Sequence, residues 1–227
     1  MTRPSVTEEE TLESLGPYFF IQRKAGHRLT NDSIALSDFA SSSLTENDTV
    51  IDLGTATGAI ALLLAWKSNA KSITGVEIER AAIDAASRNV EANGLDERVK
   101  LINADYRGLP AMFPEGSFSA VVSNPPYTKT GTGRVSPDKE RAVGRSEVMG
   151  GLSDLLKVSR HLAGKSGKIF YVFPASRLSE MMEEASLIGF NVRRLRLLRS
   201  APGKKASVFL VELGCEGGVE LEEVVLT

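Results

Sequence analysis

The chain has 227 residues, of which 42% are hydrophobic and 25% charged, and its formal net charge is −2. This composition predicts one globular domain with a small extension, and it excludes a collagen, a coiled coil or a wholly disordered chain. A single cysteine excludes a disulfide framework, and with only two histidines no metal site is expected. Because no apolar run is long enough to span a bilayer and no secretory signal is present, the sequence predicts a soluble, cytoplasmic protein.

Short apolar runs alternate with helical stretches after a first segment of 15 residues, which we expect to be loosely packed. The first five predicted strands cover residues 49–54, 72–78, 98–105, 117–124 and 167–173. The predicted helices cover residues 59–67, 81–92, 148–162 and 177–187. Two further strands, 191–199 and 204–213, are separated by a short connection, which predicts an antiparallel hairpin.

This alternation predicts an α/β fold with a doubly wound sheet that carries helices on both faces. Five parallel strands followed by a hairpin make a seven-stranded, mostly parallel sheet with a C-terminal antiparallel hairpin. The arrangement resembles that of the Rossmann-like class I methyltransferases. Ligands of such open sheets bind at the carboxyl ends of the strands, where the motifs below fall.

A glycine-containing turn follows the first of these strands and opens a helix. It reads DLGTATGA and contains Gly54 and Gly58, which let the backbone approach a ligand closely. Glu77 ends the next strand 19 residues beyond Gly58, near the spacing at which an acid reaches ribose hydroxyls. NAD-dependent oxidoreductases share this spacing, so these two features leave the choice of cofactor open.

The order of DLGTATGA, GVEIE and NADY resembles the successive cofactor motifs of class I S-adenosylmethionine-dependent methyltransferases. The resemblance implies that Glu77 binds the ribose, that Asp105 accepts a hydrogen bond from the adenine amine, and that the turn packs against the methionine part. Ala56 replaces a glycine found in many relatives, and its methyl group narrows the turn. The full set of cofactor-binding residues implied in this way is Arg28, Thr30, Asp52, Gly54, Thr55, Ala56, Gly58, Glu77, Ile78, Asp105, Tyr106 and Asn124.

The predicted catalytic motif is Asn124-Pro125-Pro126-Tyr127, after the fourth strand. A ring-conjugated or amide nitrogen is a poor nucleophile while its lone pair is delocalised. The Asn124 side-chain oxygen and the Pro125 carbonyl can accept its N–H groups and favour a pyramidal nitrogen, and the prolines restrict the backbone. Tyr127 offers a face on which a planar base or amide can stack. The motif is typical of methyltransferases that act on adenine N6 or on glutamine amides.

The flanking segments resemble the tRNA1(Val) (adenine-37-N6)-methyltransferase family. A basic, glycine-containing segment leads from Tyr127 to Glu147, and residues 20–36 are similar to that family's lid segment. The resemblance implies a lid-bearing arm over residues 1–48, a methyltransferase domain over 49–227, and tRNA as the substrate. Two basic clusters are candidates for RNA binding, namely Lys129, Arg134, Arg141 and Arg145 in the first and Arg193, Arg194, Arg196 and Arg199 in the second.

Three alternatives remain open at this point. A release-factor glutamine N5-methyltransferase carries a larger helical N-terminal domain than the roughly 48 residues that precede the first predicted strand of the sheet. An rRNA guanine-N2 methyltransferase usually has a further domain and phenylalanine in place of Tyr127. A non-catalytic cofactor-binding or RNA-binding protein would not require the intact catalytic motif, and solvated surface charge would explain the basic clusters without RNA.

Overall fold

The computed structural model of the protein describes residues 3–25, 28–125 and 151–225. Ten strands are formed within these ranges: β1 (Glu10–Leu15), β2 (Tyr18–Arg23), β3 (Thr49–Leu53), β4 (Ser72–Glu77), β5 (Val99–Asn103), β6 (Ala120–Ser123), β7 (Lys168–Pro174), β8 (Asn191–Arg199), β9 (Val208–Gly214) and β10 (Glu220–Val225). The α-helices are α1 (Asn31–Ser41), α2 (Ala59–Lys67), α3 (Arg80–Ala92), α4 (Leu109–Met112), α5 (Leu152–Ala163) and α6 (Leu178–Leu187). Short 3₁₀ turns precede α4 and α6, at Tyr106–Gly108 and Ala175–Arg177.

The main sheet has eight strands in the described part of the chain, in the order β10-β8-β9-β7-β6-β3-β4-β5. Strand β9 pairs antiparallel with both β7 and β8, and the other pairs are parallel. The predicted α/β sheet and its antiparallel β8–β9 hairpin are therefore confirmed. The predicted count of seven strands is wrong, because β10 adds an eighth strand parallel to β8 and becomes the edge.

Two apolar layers cover the sheet, one on each face. The first layer is built from α1, α2 and α3, and its largest buried side chains include Phe20, Phe39 and Phe170. The second is built from α4, α5 and α6 and includes Tyr171 and Phe209. Neighbouring strand residues alternate between the layers, which is the side-chain period of two expected for strands buried on both sides.

A separate antiparallel hairpin of β1 and β2 precedes α1, so the prediction of a loosely packed first segment is wrong for Glu10–Leu15. Asn89 of α3 and Asn93, which caps the C-terminal end of that helix, hold the hairpin by pairing with the β2 backbone as a strand would. Asn89 accepts the Ile21 N–H at 2.6 Å and donates to the Ile21 carbonyl at 2.9 Å. Asn93 repeats the pattern at Phe19, with distances of 2.9 and 2.8 Å. The hairpin is thereby packed onto the α/β core.

The edge strand β10 is held by charge pairing with β8. Its register places Glu222 opposite Arg196, whose Nε donates to the glutamate at 2.6 Å. Near the end of the strand Arg199 pairs with Glu223 at 2.5 Å. Opposite charges on facing strand residues stabilise a pair of strands, and this compensates for the exposed apolar side chains of β10. Within the described residues, no helix is both long and apolar enough to cross a membrane.

Candidate active site at the carboxyl edge of the sheet

Four neighbouring strands end close together and supply the predicted site residues. The register pairs Asp52 of β3 with both Val122 of β6 and Gly75 of β4. Two residues after these paired positions come Gly54 after β3, Glu77 in β4 and Asn124 after β6, so the three lie side by side at the carboxyl edge of the sheet. Strand β5 continues the row, since Glu77 pairs with Asn103. With about 4.8 Å between adjacent strands, these ends span about 14 Å along the sheet edge.

The glycine turn after β3 is folded back onto β4. The N–H groups of Gly54 and Thr55 both donate to the Val76 carbonyl, each at 2.9 Å. Gly58, the residue before α2, has a φ of +85°, where a Cβ would lie 3.3 Å from the Cβ of Ala86. Glycine therefore serves both the left-handed backbone and the close approach of α2 to α3.

Ala56 is left-handed as well, with a φ of +50°, although it carries a side chain. Its N–H donates to Oε2 of Glu77 at 3.0 Å. This bond fixes the tip of the turn to the acid at the end of β4. The turn therefore accommodates the alanine methyl group by placing Ala56 in the left-handed region, and the hydrogen bond to Glu77 holds it there.

Glu77 is anchored at both carboxylate oxygens. In addition to the Ala56 bond, its Oε1 accepts the Glu79 N–H at 2.8 Å, and the residue is buried. The Asn103 amide donates to the Glu77 carbonyl at 2.8 Å and to the Ile78 carbonyl at 3.1 Å, which holds the following backbone. Carboxylate oxygens have further lone pairs, so the anchored Glu77 can still accept hydrogen bonds from two neighbouring hydroxyls of a ligand.

Asp52 lies beneath this turn and is fully buried. Neither of its carboxylate oxygens has a hydrogen-bond partner of normal geometry among the described residues. Burial raises the pKa of Asp52 from 3.8 to about 7, with the Thr55 hydroxyl lowering it and the charge of Glu77 raising it. An unpaired buried carboxylate is costly, and strongly shifted acids are concentrated at functional sites.

A cleft beside Glu77 is lined by six residues from three strand ends, namely Gly54, Val76, Ile78, Ala104, Asp105 and Tyr106. Tyr106 is buried, and this burial raises its pKa to about 12. Arg107 donates to Asp105 through its side chain and its backbone N–H, which holds the pKa of that carboxyl below its usual range. The residues predicted to hold an adenine ring and its amine therefore do line one cleft.

Asn124 and Pro125 follow β6 directly, next to the glycine turn. The Ser123 hydroxyl donates to the Leu53 carbonyl at 2.7 Å and ties the end of β6 to β3. The Asn124 side-chain amide donates to the Ser33 hydroxyl at 2.9 Å. Pro126 and Tyr127, the other two predicted catalytic residues, lie outside the described residues.

Of the two predicted cofactor-binding residues before α1, Thr30 lies near Asn124, whereas Arg28 contacts the N-terminal hairpin. Thr30 caps α1 and accepts the Ser33 N–H at 3.4 Å, which puts it one turn from the Asn124 contact. Arg28 forms an ion pair at 2.8 Å with Glu13 of the N-terminal hairpin. Its role at the cofactor stays a prediction.

Three arginines of β8 that were predicted to bind RNA are paired with acidic side chains. Arg194 lies over the Phe39 ring at 3.9 Å and pairs with Glu212 at 3.1 Å. Arg196 and Arg199 pair with Glu222 and Glu223 of β10, as described above. These contacts give the three arginines a structural role. Arg193 lies elsewhere, against Gly214 and Gly217, and Lys129, Arg134, Arg141 and Arg145 lie outside the described residues.

The sequence analysis missed two residues of this edge. Ser33 contacts Asn124, but a serine in the first turn of a helix carries no signal of that contact. Its neighbour Asp32 has a pKa raised by burial. The position of Asp32 beside Thr30, within the segment similar to a lid, is the one signal that could have pointed to it.

The site as a whole fits an elongated ligand with a ribose and a planar ring. Backbone turns supply close approach, the anchored Glu77 supplies acceptors for hydroxyls, and the cleft between Ile78 and Tyr106 supplies apolar surface. Among the described residues no cation is paired with the buried Asp52 carboxyl, so a positively charged ligand group would stabilise its ionised form. S-adenosylmethionine has all of these parts, so the residues present fit it.

Comparison with known proteins agrees with this geometry. The model of the family "Methyltransferase small domain" matches residues 33–137. Among solved structures, the tRNA m1G37 methyltransferase of M. jannaschii superposes with a TM-score of 0.66 at 13% identity, covering 95% of this chain and 59% of that one. The M. jannaschii TYW2 structure in complex with AdoMet gives 0.59 at 18% identity and covers 93% and 89%. The chain therefore has the fold of the class I S-adenosylmethionine-dependent methyltransferases, and residues 33–137 are similar to their small methyltransferase domain.

Within that class the chain resembles one family of curated proteins, the tRNA1(Val) (adenine(37)-N6)-methyltransferases. The member from Porphyromonas gingivalis is 29% identical over 164 residues, which cover 71% of this chain and 64% of that protein. The member from Erwinia tasmaniensis is 29% identical over 208 residues, covering 90% and 82%. The chain thus spans just under two thirds of the length of the first relative and more of the second.

Proposed function

We propose that this protein transfers the methyl group of S-adenosylmethionine to the exocyclic N6 nitrogen of an adenine in tRNA. The observation that carries the proposal is the register of the parallel strands β3 and β6, which pairs Asp52 with Val122 and so brings Asn124 next to Gly54. A group that holds a substrate nitrogen is thereby adjacent to the turn that fits the cofactor. The relatives named above, which act on an adenine of tRNA according to their names, support adenine and tRNA as the substrate class.

Different residues of the site bind different parts of the cofactor. Glu77 holds the ribose hydroxyls, the cleft of Ile78 and Tyr106 takes the adenine ring, and the turn from Gly54 approaches the methionine part. Asp52 places its buried carboxyl next to that turn, where the positive charge of the cofactor would stabilise the ionised form. When bound, S-adenosylmethionine supplies an electrophilic methyl group on a positively charged sulfur.

Asn124 and Pro125 act on the substrate nitrogen. The N6 lone pair of adenine is conjugated with the ring, which makes the nitrogen weakly nucleophilic. The Asn124 carboxamide oxygen and the Pro125 carbonyl accept the two N–H hydrogens and orient the nitrogen. Holding the reacting groups in line lowers the barrier by removing translational and rotational freedom before reaction. Tyr127 provides the aromatic face on which the flipped base stacks.

The proposed RNA contact lies mainly in the segment that follows this motif. Lys129, Arg134, Arg141 and Arg145 supply four positive charges within 17 residues of the chain. Phosphate contacts by lysine and arginine provide most of the affinity of a nucleic-acid complex and make it dependent on salt. Arg193 is the β8 arginine that we retain in this proposal, since Arg194, Arg196 and Arg199 pair with glutamates.

The Asn124→Ala substitution tests the proposed chemistry. We expect single-turnover methyl transfer to tRNA to fall by at least about 100-fold, while S-adenosylmethionine affinity stays within about threefold, because Asn124 acts on the reacting nitrogen. Asn47→Ala is the matched control, since Asn47 is exposed in the turn before β3. Calorimetry and rapid-quench assays measure the two quantities. Near-normal transfer by Asn124→Ala would remove this residue from the mechanism.

A further inference from the structure

The contact between helix α1 and the catalytic motif joins residues 91 positions apart in the chain. The Asn124 Nδ2 group donates to Ser33 Oγ at 2.9 Å, and Ser33 is 7% exposed. We propose that Ser33 is a positioning residue for methyl transfer, which fixes the direction of the Asn124 carboxamide. This role rests on the function proposed above.

Ser33 is itself held on a rigid element. Its N–H donates to the Thr30 carbonyl at 3.1 Å, which makes Ser33 part of the hydrogen-bonded first turn of α1. Helix α1 buries Leu36 and Phe39 completely in the first apolar layer. The position of the Ser33 hydroxyl is therefore set by the core of the protein, and groups on rigid elements hold a site more accurately than groups on loops.

The direction of the Asn124 amide matters because its two ends have opposite hydrogen-bonding character. The terminal torsion of asparagine is soft, so a carboxamide at the end of a strand can rotate unless a partner holds it. With Nδ2 bound to Ser33, planarity turns Oδ1 to the other side of the group, as an acceptor. The opposite orientation would direct N–H groups at the N–H groups of the substrate.

The hydroxyl of Ser33 has a second neighbour that leaves its oxygen able to accept from Asn124. Thr30 Oγ1 lies 3.5 Å from Ser33 Oγ, within reach of the serine proton. Thr30 and Ser33 thus form a short chain of hydroxyls that ends at Asn124. Within the described part of the chain, the Ser33 hydroxyl forms no hydrogen bond with the turn at Gly54 or with Glu77, so cofactor binding is not expected to depend on it.

The test compares Ser33→Ala with Ser37→Ala. Ser37 is a buried serine one helical turn further along α1, so the control removes the same group from the same helix. We expect Ser33→Ala to slow single-turnover methyl transfer to tRNA about 10-fold, as for one hydrogen bond lost from an orienting contact. The affinity for S-adenosylmethionine should stay within about twofold in both variants, and Ser37→Ala should transfer at nearly the rate of the unmodified protein.

A measurement without cofactor or RNA addresses the same bond. Side-chain amide protons of Asn124 in nitrogen-15 spectra should exchange with water more slowly than those of the exposed Asn47, and Ser33→Ala should speed this exchange while Ser37→Ala leaves it unchanged. Equal transfer rates in the two serine variants, or an Asn124 amide that exchanges as fast as Asn47, would overturn the role of Ser33 alone. If the unmodified protein methylates no tRNA although its Asn124 amide is protected, the proposed function is wrong, and the Ser33–Asn124 hydrogen bond then has no role in methyl transfer.

Discussion

The buried carboxyl of Asp52 makes the stability of the free protein depend on pH in a defined direction. Its pKa is about 7 in the folded chain against an ordinary value of 3.8, because burial disfavours the charged form. The folded state therefore binds a proton more tightly than the unfolded state, and stability falls as pH rises between these two values. A rise from 3.8 to about 7 corresponds to about 4 kcal/mol of destabilisation once both states are ionised.

The substitution Asp52→Asn removes this titration while keeping the shape of the side chain. Between about pH 5 and about pH 8, linkage predicts that the unmodified protein loses about 2–3 kcal/mol relative to Asp52→Asn. Urea unfolding curves of both proteins across this range, without cofactor, measure the difference directly. Comparing the two proteins cancels the contributions of all other groups whose pKa the substitution leaves unchanged.

Asp48→Asn is the matched control, because Asp48 precedes the same strand but shifts the other way. Burial acts to raise the pKa of Asp48, but bonds from Thr45 and Ser119 outweigh it and hold the pKa below 3.8. Its stabilisation is present above that value and is lost only as pH falls below it, so no slope is expected between about pH 5 and about pH 8. A difference between the unmodified protein and Asp52→Asn that is flat over this range would refute the reasoning about Asp52.

Two further predictions concern the cofactor and the β8 arginines. Glu77→Ala should weaken S-adenosylmethionine binding by about 2–4 kcal/mol, since a carboxylate that accepts two hydroxyls is lost, and unchanged affinity in calorimetry would exclude the ribose role. Arg194→Ala should destabilise the fold by about 2–4 kcal/mol, because the buried Glu212 loses its cation and keeps the Ser43 hydroxyl, and the Phe39 ring loses the guanidinium that lies over it. The salt dependence of tRNA binding should stay the same. If Arg194→Ala is as stable as the unmodified protein and its tRNA binding depends less on salt, Arg194 contacts RNA instead.

The sequence predicted the part of the fold that depends on local patterns. Helix α2 and strand β8 have the predicted boundaries, because Gly58 lies directly before α2, Gly189 lies just before β8, and polar or turn residues follow both elements. The sequence also predicted that the glycine turn and Glu77 lie together at the carboxyl edge of the sheet, because residue types at a short spacing indicate this, and their role at the cofactor stays a prediction. The structure places these residues together with the cleft at Ile78 and Tyr106.

The parts that sequence analysis missed depend on partners far away in the chain. Strand β10 has exposed Leu221 and a run of glutamates, and its pairing is stabilised by Arg196 and Arg199 of another strand. The sequence predicted that the arginines of β8 bind RNA, but the glutamates of β10 neutralise Arg196 and Arg199. The Ser33 contact could not be predicted either, because a helix-capping region shows no preference for a residue 91 positions away.

The most direct test of the proposed methyl transfer is mass spectrometry of nucleosides from unmodified tRNA after incubation with the protein and S-adenosylmethionine. The proposal predicts that N6-methyladenosine accumulates in stoichiometric amounts with the unmodified protein, and that the Asn124→Ala variant leaves the tRNA unmethylated. A parallel incubation with a release factor should leave its glutamine side chains unmethylated. Unchanged tRNA nucleosides together with N5-methylglutamine in the release factor would contradict the proposal and assign the same site to an amide nitrogen.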